Sequence, residues 1–286
     1  MRDNDLFQLA LGITSPWFVA SSDFDNDKRR LDIHLDFKPG ARFDCPECGA
    51  GGMAVHDTAE KTWRHLDFFQ HQAFLTARTP RIKCGKCGVR QINVPWARPG
   101  SGFTLLFEAL AMTLAMHLPV AVAARQFLKI TDKRLWRIVF HYVEDAVARM
   151  DLGRVSRVAI DETAARRGHD YITLVVDIDG RRVTFVGDGR SADAVARFAD
   201  HLEDHGGDAS RIKQASIDMS PAFIKGVSEN LTEAEITFDR FHVMKLIGDA
   251  IDEVRRAEVK TRPELKGTRY AWTKNDANLT ARQSAQ

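Results

Sequence analysis

Four cysteines restrict the chemistry of this chain most narrowly. They form two CxxC pairs, Cys45/Cys48 and Cys84/Cys87, each followed by a glycine, and no cysteine is left over. At that spacing two thiolates face one ion, while the glycine permits the tight turn and lets backbone N–H groups approach the sulfurs. A disulfide framework fits poorly in a chain of 286 residues that opens Met1-Arg2-Asp3-Asn4-Asp5, without the basic-then-apolar order of an export signal. A redox dithiol needs a helix N-terminus to lower one thiol pKa, and neither pair introduces a helical pattern. The expectation is one structural Zn²⁺ on Cys45, Cys48, Cys84 and Cys87.

The second set of chemically able residues is acidic. Asp161 and Asp218 are each the first acid after a short apolar run, Arg157–Ile160 and Gln214–Ile217. Carboxylates on adjacent strand ends, joined by a third from a helix, can hold two hard divalent ions about 3.5–4 Å apart for in-line phosphoryl displacement. Strand-terminal aspartates also serve as turn formers and helix caps, the role expected of Asp177, Asp179 and Asp188. The residues alone leave both readings open for Asp161 and Asp218.

Three kinds of element must position these groups. Leu31, Ile33, Leu35 and Phe37 alternate with polar residues as a half-buried strand, and Trp63–Phe69 and Phe74–Lys83 both read as extended. Together with the cysteines they predict a zinc-ribbon domain over 1–100. Arg78, Arg81, Lys83, Lys86, Arg90 and Arg98 occur there with no acid among them, a stripe suited to phosphate or simply to solvent. From Phe103 the period becomes 3.6. One helix covers about Phe103–Met116, and Pro119 starts a short one that ends at Phe127. Leu128-Lys129-Ile130 makes a turn, and Thr131 or Asp132 caps a longer helix with Leu135, Trp136, Val139, Val143 and Val147 inward. That is the helix-turn-helix plan, expected over 101–152, with Lys133, Arg134 and Arg137 in the DNA-facing half of the recognition helix. Beyond Gly153 come three strands joined through an Asp179-Gly180 hairpin, then helix, strand, helix, strand and helix. This is the order of an RNase H-like domain, expected over 153–286. The fold class is thus α+β and α/β multidomain, a β ribbon, a helical segment and a mixed sheet with flanking helices.

Composition excludes little else. With 44% hydrophobic residues, 28% charged residues and a net charge of +2, any nucleic-acid affinity must come from local patches. The longest apolar stretch, Phe103–Ala124, contains Glu108, His117 and Pro119 and reads as buried helices rather than a membrane span. A cytoplasmic protein is expected.

The order CPEC, CGKC, helix-turn-helix, AIDET, SIDMSPAF and FDRFHVMKLI resembles bacterial insertion-sequence transposases of the ISL-three type over essentially the whole chain. The resemblance implies a DDE transposase that binds double-stranded DNA at terminal inverted repeats and at the target, as a homodimer on nucleoid DNA. It implies Asp161 and Asp218 as ligands of catalytic Mg²⁺ or Mn²⁺, and supporting roles for Asp239 and His242. Lys133, Arg134, Arg137, Arg81, Lys83 and Lys86 become the DNA-binding set. The family's third carboxylate lies downstream of a long helical insertion, so a C-terminally truncated domain is expected here. Glu253 stands as a substitute ligand, among solvated charges that include Glu258 and Glu264. A catalytically inactive DNA-binding remnant or repressor is the alternative, and a zinc-ribbon transcription factor with an unrelated α/β domain is a further one.

Overall fold

A computed structural model describes residues 3–166, 168 and 170–285. The chain divides into two compact units, Met1–Asp145 and Ala146–Gln286. The ribbon and the helices that follow it share the first.

In the first unit a short helix, α1 (Asp3–Ala10), precedes β1 (Trp17–Asp25), β2 (Arg30–Phe37), β3 (Arg42–Phe43), β4 (Met53–Arg64), β5 (Gln72–Cys84) and β6 (Gly88–Gln91). The sheet order is β1-β2-β5-β4-β3, with β6 also on β5 and β2 parallel to β5. The alternation expected over Leu31–Phe37 holds, burying Leu31, Ile33 and Leu35 with Leu75, Ile82 and the tryptophans Trp17 and Trp63, which both pack on Trp96. The extended run expected over Trp63–Phe69 is displaced. β4 ends at Arg64, and the chain then turns through Phe69 at φ +53° to reach β5. Strand β4 itself runs earlier, because its Val55–Arg64 side pairs residue by residue with β5.

The helices are α2 (Leu105–His117), α3 (Val120–Val122) running into a π-helical turn Ala123–Leu128, and α4 (Asp132–Ala148). Thr104 caps α2 by accepting the Phe107 N–H, and Lys129 makes the turn in the left-handed region at φ +54°. The inward face of α4 differs from the sequence expectation. Leu135 and Ile138 are buried against Phe103, Phe107, Ala124 and Leu128, whereas Trp136, Val143 and Val147 are exposed. An i, i+3, i+7 arc through Leu135, Ile138 and Tyr142 meets the neighbouring helices. The Trp136–Phe140–Val143–Val147 stripe lies beside that arc, and its periodicity is indistinguishable from it in sequence.

The second unit holds β7 (Arg157–Ala164), β8 (Tyr171–Asp177), β9 (Arg182–Asp188), α5 (Ala192–Asp204), β10 (Gln214–Ile217), α6 (Pro221–Asn230), β11 (Glu235–Phe238), α7 (Arg240–Glu258) and α8 (Arg269–Thr273). Sheet order is β11-β10-β7-β8-β9, the first three strands parallel and the last two antiparallel. Val158, Ile160, Ala215 and Ile217 point toward α5 and α6, meeting Val195, Phe198, Phe223 and Val227 in one fully buried core. The two helices approach closely at Gly226, where a Cβ would sit 2.8 Å from the Val195 side chain. Strand β7 continues past its expected end at Ile160, because β8 pairs with it through Ala164.

Candidate functional site

The cysteines sit where two hairpins place them. The first knuckle lies between β3 and β4, the second between β5 and β6. Antiparallel pairing of β4 with β5 carries the chain out and back, so that residues 49–83 return Cys84 to Cys45. Gly49 and Gly88 adopt φ of +70° and +76°, the left-handed turn each knuckle requires. All four Sγ atoms lie within 4.8 Å of one another, with Cys48 and Cys84 at 3.6 Å. Zn–S bonds of about 2.3 Å set a tetrahedron edge of about 3.8 Å, so the donor set fits zinc. The electrostatics agree. N–H groups of Cys87 and Lys86 pull the Cys84 thiol down to about 7, while the Cys48 side chain and burial push Cys87 up to about 12. Four adjacent thiolates cannot ionise together without a cation. The ribbon is a structural zinc site.

The basic stripe is less bare than its sequence implies. Strand pairing brings acids to it: Arg81 meets Asp57 at 2.5 Å, Arg78 meets Asp36 at 3.1 Å and Arg90 meets Glu47 at 2.5 Å. Arg98 binds Glu108, a carboxylate with no exposed surface that also accepts from Ser101 Oγ and Tyr142 Oη. Lys83 and Lys86 have no carboxylate partner among the described residues. Lys133, Arg134 and Arg137 occupy the first two turns of α4. The Arg134 guanidinium lies over the Phe103 ring, 4.3 Å from its centroid.

The aspartates come together through register. Ile160 pairs with Ile217, and Ile217 with Phe238, so the next residues follow one another across three parallel strands, Asp161 within β7 and Asp218 and Asp239 just past the ends of β10 and β11. Neighbouring strands are about 4.8 Å apart. Alternation turns all three away from the face that α5 and α6 cover. Each directs one oxygen to a local N–H: Asp161 to Glu162 at 2.8 Å, Asp218 to Ser220 at 2.9 Å and Asp239 to Phe241 at 2.8 Å. Those bonds orient the carboxylates and leave each a second oxygen. Asp239 is also the N-cap of α7, and His242 stands in that helix's first turn. Asp177 is the turn former expected, accepting the N–H groups of Asp179 and Gly180, and Asp179 pairs with Arg157. Glu253, the substitute ligand, lies about 20 Å along α7 from Asp239 at about 1.5 Å per residue, and so stands apart from that end of the row. Among the described residues, the four cysteines are the only group of three or more candidate ligands drawn together at ligating distance.

A zinc ribbon, a helix-turn-helix and a mixed sheet with adjoining aspartates are the parts of a DNA transposase of the DDE class, and the comparisons with known proteins agree. A zinc-finger model of transposases IS204/IS1001/IS1096/IS1165 matches residues 41–87, the helix-turn-helix domain of transposase family ISL3 matches 92–143, and the ISL3 DDE transposase model matches 158–286. The chain is 31% identical over 303 residues to the transposase for insertion sequence element IS1001 of Bordetella parapertussis, covering all of this chain and 72% of that protein. It is 28% identical over 320 residues to the IS1557 transposase of Mycobacterium tuberculosis, covering all of this chain and 71% of that protein. The chain belongs to the ISL3 family of insertion-sequence transposases. No helix among the described residues is long and apolar enough to cross a membrane.

Proposed function

We propose that this chain recognises the terminal inverted repeats of an insertion sequence through its first unit and contributes Asp161 and Asp218 to the metal site for strand cleavage and transfer. The observation that carries the catalytic half is the β7–β10 register, in which Ile160 pairs with Ile217 and the aspartates that follow them are neighbours on adjacent parallel strands. Bound Mg²⁺ or Mn²⁺ would supply the charge that activates a water or 3′-hydroxyl and stabilises the leaving oxygen. Asp161 and Asp218 hold that charge with the oxygens their backbone bonds leave over. Asp239 and His242 support them, Asp239 by starting α7 beside Asp218. The third carboxylate comes from outside the Asp161, Asp218 and Asp239 row.

Lys133, Arg134 and Arg137 on α4, with Lys83, Lys86 and Arg81 on the ribbon, are the DNA-binding set. Inverted repeats present two copies of one site in opposite orientation, which suits a homodimer of this chain. Its work lies on cytoplasmic, nucleoid DNA.

Purified protein with duplex carrying the element's ends and Mn²⁺ tests the reading. Binding of the ends is expected, and any nicking should vanish in Asp161→Asn and Asp218→Asn. Binding without nicking in every variant would favour a DNA-binding repressor, and nicking that survives both substitutions would refute the assignment.

A further inference from the structure

Arg134 separates two small clefts in the first unit. One, of about 310 Å³, is bounded by Arg98, Ser101, Phe103, Arg134 and Arg137. The other, of about 200 Å³, includes Arg64, Lys129 and the opposite side of Arg134. Five cations therefore converge on the loop Gly100–Phe103 and the start of α4, and two carboxylates answer them. Glu108 binds Arg98, and Asp67 binds both Arg64 and Lys129. Among the described residues Arg134 and Arg137 have no carboxylate partner.

We propose that this junction between ribbon and recognition helix seats a backbone phosphate of duplex DNA, gripped by Arg134 and Arg137. The inference rests on the DNA-binding reading above and goes further. It gives these two residues the task of fixing register on the duplex rather than reading bases.

The geometry suits an anion held in a fixed orientation. The Phe103 ring beneath Arg134 holds the guanidinium plane, and Phe103 itself stacks on Phe107, with centroids 4.8 Å apart. A planar fork so held presents its N–H donors at the spacing of two phosphate oxygens. The loop opposite is pinned as well: Ser101 Oγ accepts the Phe103 N–H at 3.0 Å and donates to Glu108 at 2.6 Å. Like charge is crowded in the free protein, since burial and then Arg137 and Arg64 lower the Arg134 pKa. A phosphate would relieve that crowding, and a neutral base edge would not. Because the clefts take Arg64 from β4 and Arg134 from α4, the ribbon and the helix-turn-helix would meet DNA as one surface.

The test is fluorescence anisotropy of the full chain with two duplexes, one bearing the inverted repeat and one scrambled, over a salt series. Arg134→Gln and Arg137→Gln should each weaken both duplexes by the same factor and lower the slope of log Kobs against log [salt], and the double variant should lower it by about 1 in all, the contribution of one phosphate. Phe103→Leu, which keeps every charge, should weaken binding and leave the slope unchanged. Loss confined to the inverted-repeat duplex with the slope intact would make these residues base readers and overturn the proposal. Unchanged affinity in Arg134→Gln and Arg137→Gln would overturn it too, while leaving the DNA-binding reading standing. If the wild-type chain binds neither duplex, that reading falls and takes this one with it. Zinc content and thermal melts check the fold. If Arg134→Gln melts early, the exposed Arg137 decides.

Discussion

The cysteine cluster is a zinc site and the aspartate row is the site proposed for Mg²⁺ or Mn²⁺, and the fold assembles the two in different ways. The four thiols come from two knuckles that one antiparallel strand pair brings together, and every ligand is present within 4.8 Å. The aspartates come from parallel strands that become neighbours only after β8, β9 and α5 have carried the chain from β7 to β10, and α6 from β10 to β11. A closed four-ligand site stabilises its fold when filled, because the apo state has four crowded thiols. A row of two or three carboxylates with free oxygens leaves coordination positions open, which a reacting phosphate and water require. That is the difference between a structural metal and the catalytic one proposed here.

The largest test of that contrast is zinc removal. Cys45→Ser or Cys84→Ser should abolish binding of about one zinc per chain and unfold the ribbon, since structural zinc contributes on the order of 10 kcal/mol. Metal analysis with circular dichroism measures both, and a metal-free protein that keeps its fold would end the distinction. Next, Leu135→Ala should cost about 2–5 kcal/mol in denaturant melts, as expected for a fully buried leucine. Trp136→Ala, on the exposed stripe, should cost about 0.5 kcal/mol. Equal costs would restore the inward face read from periodicity.

Acid should weaken the first unit specifically. Burial, then the neighbouring Arg64, hold His65 down to about 4, with its Nδ1 2.9 Å from Thr104 Oγ1. The unfolded chain takes up its proton near pH 6.5 and the folded chain does not. Stability is therefore full above pH 6.5 and declines as pH falls toward 4, by at most about 3 kcal/mol. Replacing His65 with Gln should flatten the melting temperature across that window, and an unchanged pH profile would refute the assignment. Smallest on stability are Asp161→Asn and Asp218→Asn, at about 0.5 kcal/mol. Their effect should fall instead on Mn²⁺ uptake beyond the zinc site, read by calorimetry. Uptake undiminished by both would refute the aspartates as ligands.

Much of the molecule is legible from local pattern. The CxxC-Gly knuckles state their ligands, their turn and their metal in five residues each. β10, β11 and the Pro221 start of α6 fall where apolar runs and turn residues put them, and so does Asp218 at the end of β10, whereas Asp161 lies inside β7 because pairing with β8 carries that strand on to Ala164. Helix α1 and strand β1 escaped because neither shows a strong period. Arg64, Lys129 and Phe103 escaped as members of the cleft because no motif connects them. The one available signal was the Gly100-Ser101-Gly102 loop, which lets the chain turn tightly between ribbon and helices.

Sequence by itself determined what is encoded within a few residues: thiolate spacing, helix caps, the order of strands and helices from Phe103 to Val259, and the acids that follow short apolar runs. Tertiary structure alone decided which charges stay free. Asp57, Asp36, Glu47 and Glu108 are remote in sequence from the arginines they neutralise, and only strand register and helix docking bring them within 2.5–3.1 Å. It also decided which of two adjacent apolar stripes of α4 is buried, and that the aspartates lie in one row while Glu253 lies about 20 Å away along the α7 axis. Charge and burial depend on neighbours in space, so they are settled only when distant segments pack.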